Sequence, residues 1–200
     1  MRRLVVTTNV TLDGVMQAPG RPDEDVRGGF DRGGWATPYN DATMAQKMGE
    51  GMAQTGAMLF GRRTYESFYD SWAHRTDGNP FTEMMNNVQK YVASSTLTDP
   101  LPWASSTLLA GDAADAVAEL KEQSGLDIAV IGSGELVQSL AARGLVDQYT
   151  LLIHPLVLGS GRRLFPDGAP PANLRLVDSL PTDKGVIIAT YQIIATYQPA

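Results

Sequence analysis

The chain has 200 residues, 43% of them apolar and 19% charged, which suits one folded domain with a sizeable core and excludes a disordered chain. Lys and Arg number 16 against 22 Asp and Glu, a net charge of −6, so an extended cationic surface for nucleic acid or an anionic membrane is not expected. There is no cysteine and there are only two histidines, His74 and His154, which removes thiolate nucleophiles, cysteine–zinc sites, iron–sulfur clusters and HExxH metal helices.

The opening segment Leu4–Val10 is rich in β-branched residues and predicts a strand. Thr7, Thr8, Asn9 and Asp13 interrupt its apolar run too early for a signal peptide, and a cytoplasmic protein is expected. From Asp13 to Gly34 the chain is dense in Gly, Pro, Asp and Arg, a long stretch of the kind that forms functional loops. Met44, Met48 and Met52 recur every four residues, which predicts a helix within 40–55. Ala57–Phe60 reads as a short buried strand running through Gly61 into a helix from Arg62. Gln89–Ser94 and Thr107–Ala110 are further strands.

Asp112, with Asp115 three residues on, predicts an N-cap and acidic first turn for the next helix. Asp127–Ile131 is a strand, and Gly134–Arg143 a helix closed by Gly144. Gln148–Leu158, Asn173–Leu180 and Val186–Tyr197 are strand candidates with no helix between them. Alternating β and α units followed by consecutive strands predict a single α/β domain over residues 1–200. Its central sheet is mixed and mostly parallel, with flanking helices and antiparallel C-terminal strands.

Three glycine turns follow strands. In Gly61-Arg62-Arg63-Thr64 a strand passes through glycine into a helix, which aims free N–H groups at one point and supplies two arginines for a phosphate. The same residues also fit a plain helix cap with solvated arginines. Gly132-Ser133-Gly134-Glu135-Leu136 has the form of a phosphate-binding turn but not a full GxGxxG, because Val137 holds the third glycine position. Gly159-Ser160-Gly161-Arg162 precedes no helix and reads mainly as a structural turn, with Arg162 a candidate anion contact. Asp41 is either the N-cap of the methionine-striped helix or a pocket carboxylate beside Trp35, and Asp13 lies in an Asp-Gly turn. His154, before Pro155 in a strand, reads as a core histidine.

The series Leu12-Asp13-Gly14, Gly61-Arg62-Arg63-Thr64-Tyr65-Glu66, Lys90-Tyr91-Val92-Ala93-Ser94-Ser95 and Val130-Ile131-Gly132-Ser133-Gly134 closes with His154-Pro155-Leu156-Val157-Leu158-Gly159-Ser160-Gly161. Over residues 3–195 it resembles the dihydrofolate-reductase-like superfamily, in the branch of the C-terminal reductase domain of riboflavin biosynthesis (RibD). That resemblance implies NADPH across the C-terminal edge of the sheet. The cofactor's phosphates would lie at Gly61, Arg62, Arg63 and Thr64, its 2′-phosphate near Ser94 and Ser95, and its pyrophosphate turn at Gly132, Ser133, Gly134, Glu135 and Leu136. It further implies a catalytic role for Asp41, with Asn9, Asp13 and Trp35 lining the substrate pocket. The functional expectation is an NADPH-dependent reductase of a pterin- or pyrimidine-like substrate, such as 5-amino-6-(5-phosphoribosylamino)uracil. A non-catalytic nucleotide or small-ligand binder on the same fold is the alternative. Apolar faces such as Val186-Ile187-Ile188 and Ile193-Ile194 suggest a homodimer.

Overall fold

The computed structural model describes residues 1–196. Its strands are β1 (Leu4–Thr11), β2 (Thr55–Gly61), β3 (Gln89–Ala93), β4 (Ser106–Leu109), β5 (Asp127–Ile131), β6 (Gln148–His154), β7 (Ala172–Pro181) and β8 (Ile187–Thr196). The helices are α1 (Ala42–Met52), α2 (Arg62–Trp72), α3 (Pro80–Asn87), α4 (Ala113–Glu122) and α5 (Gly134–Ala142). The strands form one eight-stranded sheet in the order β4-β3-β2-β5-β1-β6-β8-β7. β1 to β6 are mutually parallel, while β8 pairs antiparallel with both β6 and β7. This is the α/β architecture that the order of elements predicts. Among the described residues no helix is long and apolar enough to cross a membrane.

Parallel strands are buried on both faces because their crossovers return over the sheet. Val117, Leu120, Val137 and Leu140 of α4 and α5 pack with Leu4, Val6, Leu59, Ile128 and Val130. Alternate residues of the same strands, including Met58, Phe60 and Ala129, face Tyr65 of α2 and Met85 of α3. Met44 of α1 covers Leu152, Val186 and Ile188. The period-two pattern therefore divides the sheet between two helical layers.

Helix ends follow the local chemistry. Asp112 accepts from the N–H groups of Ala114 and Asp115 at the start of α4. After α5, Gly144 takes φ +66°, its N–H reaching Ala141 O while Leu145 N–H reaches Leu140 O, a Schellman stop.

Three differences from the sequence expectation have local causes. α3 is a helix that the apolar pattern does not announce. Asn79 caps it through the N–H of Phe81, Pro80 occupies its first position, and buried Lys90 donates from Nζ to the carbonyls of Met85, Asn86 and Val88 at its end. β6 ends at His154 rather than Leu158 because Pro155 has no N–H to continue the ladder. The segment 13–34 is an organised loop: Val15, Ala18 and Phe30 join Trp35 and Ala36 in a small buried cluster against Leu156 and Leu158. At the other end of the chain, the predicted last strand runs to Tyr197, which lies outside the described residues.

Candidate functional site

The chain leaves β2 toward β3 but leaves β5 toward β6, in opposite directions across the sheet. Loops that part in this way open a crevice at the carboxyl ends of the strands. A cleft of about 1260 Å³ lies there, lined by Thr8 and Asn9 of β1, Gly61 of β2, the Ala93–Thr96 segment after β3, and Ile131–Leu136 after β5.

Two helix N-termini meet at its floor. Gly61 is the N-cap of α2 and Ser133 the N-cap of α5. The two turns are bonded to each other: Gly61 N–H donates to Ser133 Oγ at 3.0 Å, and Ser133 N–H donates to Thr64 Oγ1 at 3.2 Å. Gly132 and Ser133 are both left-handed, at φ +61° and +53°. Two successive left-handed residues make the sharp turn from β5 into α5, which glycine adopts freely at 132 and which Ser133 adopts while its hydroxyl accepts the Gly61 N–H. The first-turn N–H groups of α2 and α5 have no intrahelical acceptors, and both helix dipoles are positive at this point. A Cβ at Gly134 would stand 2.8 Å from Met16 Sδ, so the loop after β1 is packed directly on the turn.

Arginines gather at the rim. Arg27 and Arg162 both donate from Nη1 to Glu135 Oε1, the former at 3.0 Å, and Arg63 stands 4.0 Å from Glu135 Oε2. Arg62 is paired with Glu66 one turn along α2, at 3.0 and 3.2 Å. Gln17, 4% exposed, organises the loop from within. Its Nε2 donates to the carbonyls of Asp25 and Arg27, and its Oε1 accepts from Arg162 N–H. Arg27, Arg162 and Gln17 line the cleft, and sequence reasoning either missed them or treated them as incidental, since a loop has no periodicity to mark an inward side chain.

Of the expected cofactor residues, Gly61, Arg62, Arg63, Thr64, Ser94, Ser95, Gly132, Ser133, Gly134, Glu135 and Leu136 all line this one cleft. Ser94 Oγ also accepts from Thr96 and Leu97 N–H, shaping the turn after β3.

The expected substrate residues divide. Asn9 lines the cleft. Asp13 does not: its carboxylate accepts from Thr11 Oγ1 at 2.5 Å and from the N–H groups of Leu158 and Gly159, joining the end of β1 to the turn after β6. The Thr11 hydroxyl, with these N–H donors, holds the carboxyl down to about 2. Trp35 is 8% exposed, donates from Nε1 to Gln17 O, and packs edge-on to His154 with ring centres 5.2 Å apart. It is a core residue and offers the cleft no stacking face. Asp41 is likewise outside the cleft. Oδ1 accepts from Met44 N–H at 2.8 Å as the cap of α1, and Oδ2 accepts from Lys184 N–H at 3.1 Å. The Met44 N–H above all keeps this carboxyl below its ordinary value. Both oxygens of Asp41 are thus engaged by backbone N–H groups, a capping arrangement, at a position that does not line the cleft.

His154 is fully buried, with Nε2 2.8 Å from Asn9 Oδ1 and no partner for Nδ1. Burial alone pushes its pKa down to about 4, so the ring is neutral at physiological pH.

The family model for the RibD C-terminal domain matches residues 2–188. The chain is 30% identical over 197 residues to the uncharacterized protein YyaP of Bacillus subtilis (strain 168), covering 95% of this chain and 94% of that protein. Its fold is similar to that of a diaminohydroxyphosphoribosylaminopyrimidine deaminase/5-amino-6-(5-phosphoribosylamino)uracil reductase from Thermotoga maritima. The TM-score is 0.64 and the identity 15%, over 96% of this chain and 57% of that one. It is also similar to dihydrofolate reductase from Enterococcus faecalis complexed with NADP(H), with a TM-score of 0.57 and 16% identity over 96% of each chain.

Proposed function

The chain belongs to the RibD C-terminal domain family, and on that footing we propose that it is an NADPH-dependent reductase of a small pterin- or pyrimidine-like heterocycle, with an aminouracil of the riboflavin pathway as the concrete candidate. The observation that carries this reading is the meeting of two helix N-termini at the interlocked Gly61–Thr64 and Gly132–Gly134 turns. Such a floor suits the phosphates of a dinucleotide: first-turn N–H groups that lack intrahelical acceptors, the positive ends of two helix dipoles, and glycine where the backbone must approach closely. Arg62, Arg63, Ser94 and Ser95 on the same wall supply charge and hydroxyls for a 2′-phosphate, which favours NADPH over NADH.

When bound, the cofactor supplies hydride to an electrophilic C=N or C=O carbon, and solvent supplies the balancing proton. The protein's part is to hold the phosphates at the two turns, to orient the heterocycle against β1 through Asn9, and to cover the pair with the Gln17-braced loop. Three of the four acidic residues along the cleft are committed, Asp25 to Arg27, Glu135 to its arginines, and Glu24 to the N–H groups of Gly20 and Arg21, and the fourth, Asp23, is 84% exposed beside Arg21. Polarisation by hydrogen-bond donors therefore fits this wall better than a carboxylic acid would.

The test is thermal unfolding with NADPH, NADH or neither. A ligand at about 100 times its Kd adds about 2.7 kcal/mol, so NADPH is expected to raise Tm clearly more than NADH. NADPH consumption is then followed with aminouracils and dihydropterins as acceptors. No shift at millimolar NADPH refutes the proposal.

A further inference from the structure

Asn9 and His154 lie 145 residues apart in sequence and are joined by a bond of 2.8 Å between Asn9 Oδ1 and His154 Nε2. The histidine is wholly enclosed, with Trp35 and Tyr39 packed edge-on against its ring at 5.2 and 5.4 Å. Because the ring is neutral, only one nitrogen carries hydrogen. Nδ1 is buried without a partner, and a buried N–H left unpaired is rarer and costlier than an unpaired acceptor lone pair. The hydrogen therefore resides on Nε2 and is donated to Asn9 Oδ1.

This fixes the carboxamide. Its oxygen is committed inward, and its NH2 group, which has no partner among the described residues, remains for the cleft that Asn9 lines. A free asparagine reads donors and acceptors alike, because rotation exchanges its two ends; this one cannot rotate without leaving Nδ2 against the Nε2 hydrogen.

We infer that His154 is a positioning residue that locks Asn9 with its NH2 group toward the cleft, so that Asn9 selects substrates presenting an exocyclic carbonyl oxygen at that point of the heterocycle. The inference rests on the reductase reading for its word substrate, but the selectivity is a property of binding and is measured without turnover. A site of this kind prefers a pyrimidinedione or pteridinedione to its diamino counterpart, whose exocyclic NH2 would face the NH2 of Asn9.

The experiment compares binding of lumazine, a pteridine-2,4-dione, with that of 2,4-diaminopteridine by calorimetry on the NADPH-saturated protein and, in parallel, without NADPH. Wild type is expected to bind lumazine at least tenfold more tightly. Asn9→Asp, which keeps the oxygen and loses both donors, reverses the order. His154→Phe keeps the ring packing and removes the N–H, and it abolishes the preference. His154→Gln, whose amide nitrogen occupies the Nε2 position, restores it. A histidine that merely packs would leave the preference intact in His154→Phe, and that result overturns the inference, as does wild-type protein that binds neither pteridine.

A variant that fails to fold leaves the wild-type tautomer to decide. With only two histidines, nitrogen-15 spectra with His74→Gln as the assignment control show whether His154 is protonated at Nε2, and an Nδ1–H form overturns the lock. Retention of the Asn9-dependent preference in a protein that shows no NADPH stabilisation leaves this inference standing while refuting the reductase reading.

Discussion

Between pH 6.5 and 4, acid should destabilise this protein mainly through one residue. His154 has an ordinary pKa of 6.5 in the unfolded chain and about 4 in the folded protein, the difference being caused by burial. Above pH 6.5 the ring is neutral in both states and its contribution is complete. Between 6.5 and 4 the unfolded chain binds a proton that the native state refuses, so stability falls as pH falls, and below 4 the loss is finished. At 1.36 kcal/mol per unit, a shift of this size is worth about 3 kcal/mol. With a urea m value of about 2–3 kcal/mol/M, the unfolding midpoint should drop by about 1 M across that window.

The lowered carboxyls Asp13, Asp25, Asp41, Asp77 and Asp178 act below their ordinary value of 3.8, so their losses follow at lower pH. The assay is urea unfolding at half-unit steps from pH 7.5 to 4 for wild type and His154→Phe. Wild type should lose about 1 M more than the variant. Parallel curves would refute the claim that the buried neutral ring sets acid sensitivity.

Other expectations follow from the same contacts. Gly161→Ala places a Cβ 2.6 Å from Val15 Cγ1 and 2.9 Å from Phe30 Cε2 at φ +125°; a loss of about 3 kcal/mol is expected in thermal or urea unfolding, whereas Gly168→Ala, with nothing within 4 Å, should cost about 1 kcal/mol. Asp41→Ala should lower Tm by about 3 °C through loss of the α1 cap while kcat holds, and a fall in kcat at unchanged stability would return the carboxylate to the chemistry. Arg63→Ala should weaken NADPH about tenfold and NADH less, by titration of each cofactor; Arg62→Ala should have the smaller effect, because Glu66 already offsets its charge. Of the apolar residues that suggested a homodimer, Val186 and Ile188 are buried under α1 while Ile187 and Ile194 stay 45% and 55% exposed, as do Leu176 and Val177 of the edge strand β7 at 53% and 57%; a homodimer through these exposed residues is expected, and a monomer mass by light scattering at working concentration would refute it.

Much of the fold was legible because its signals are local. Strand, glycine and helix alternate at Gly61 and again at Gly132, and the pairing of β2 with β5 then sets these two glycine turns side by side at the carboxyl ends of the strands. The caps at Asp112 and Gly144 declared their helix ends through side-chain and backbone chemistry confined to a few residues. α3 escaped detection because part of its stabilisation comes from Lys90, a strand residue whose buried ammonium closes the helix end.

The polar site was less legible for the same kind of reason. A carboxylate at a helix start looks alike whether it caps or catalyses, and only the tertiary structure shows that Lys184, 143 residues away, donates its N–H to the second oxygen of Asp41. Trp35 became core and Asp13 a tether because the turn after β6 folds back on the end of β1. Residue types along the chain determined the α/β layering and the two glycine turns, since strand and helix periods and left-handed backbone are properties of a few adjacent residues. Which side chain faces the cleft, and with which atom, depends on partners that only folding brings within 3 Å, as Asn9 and His154 show.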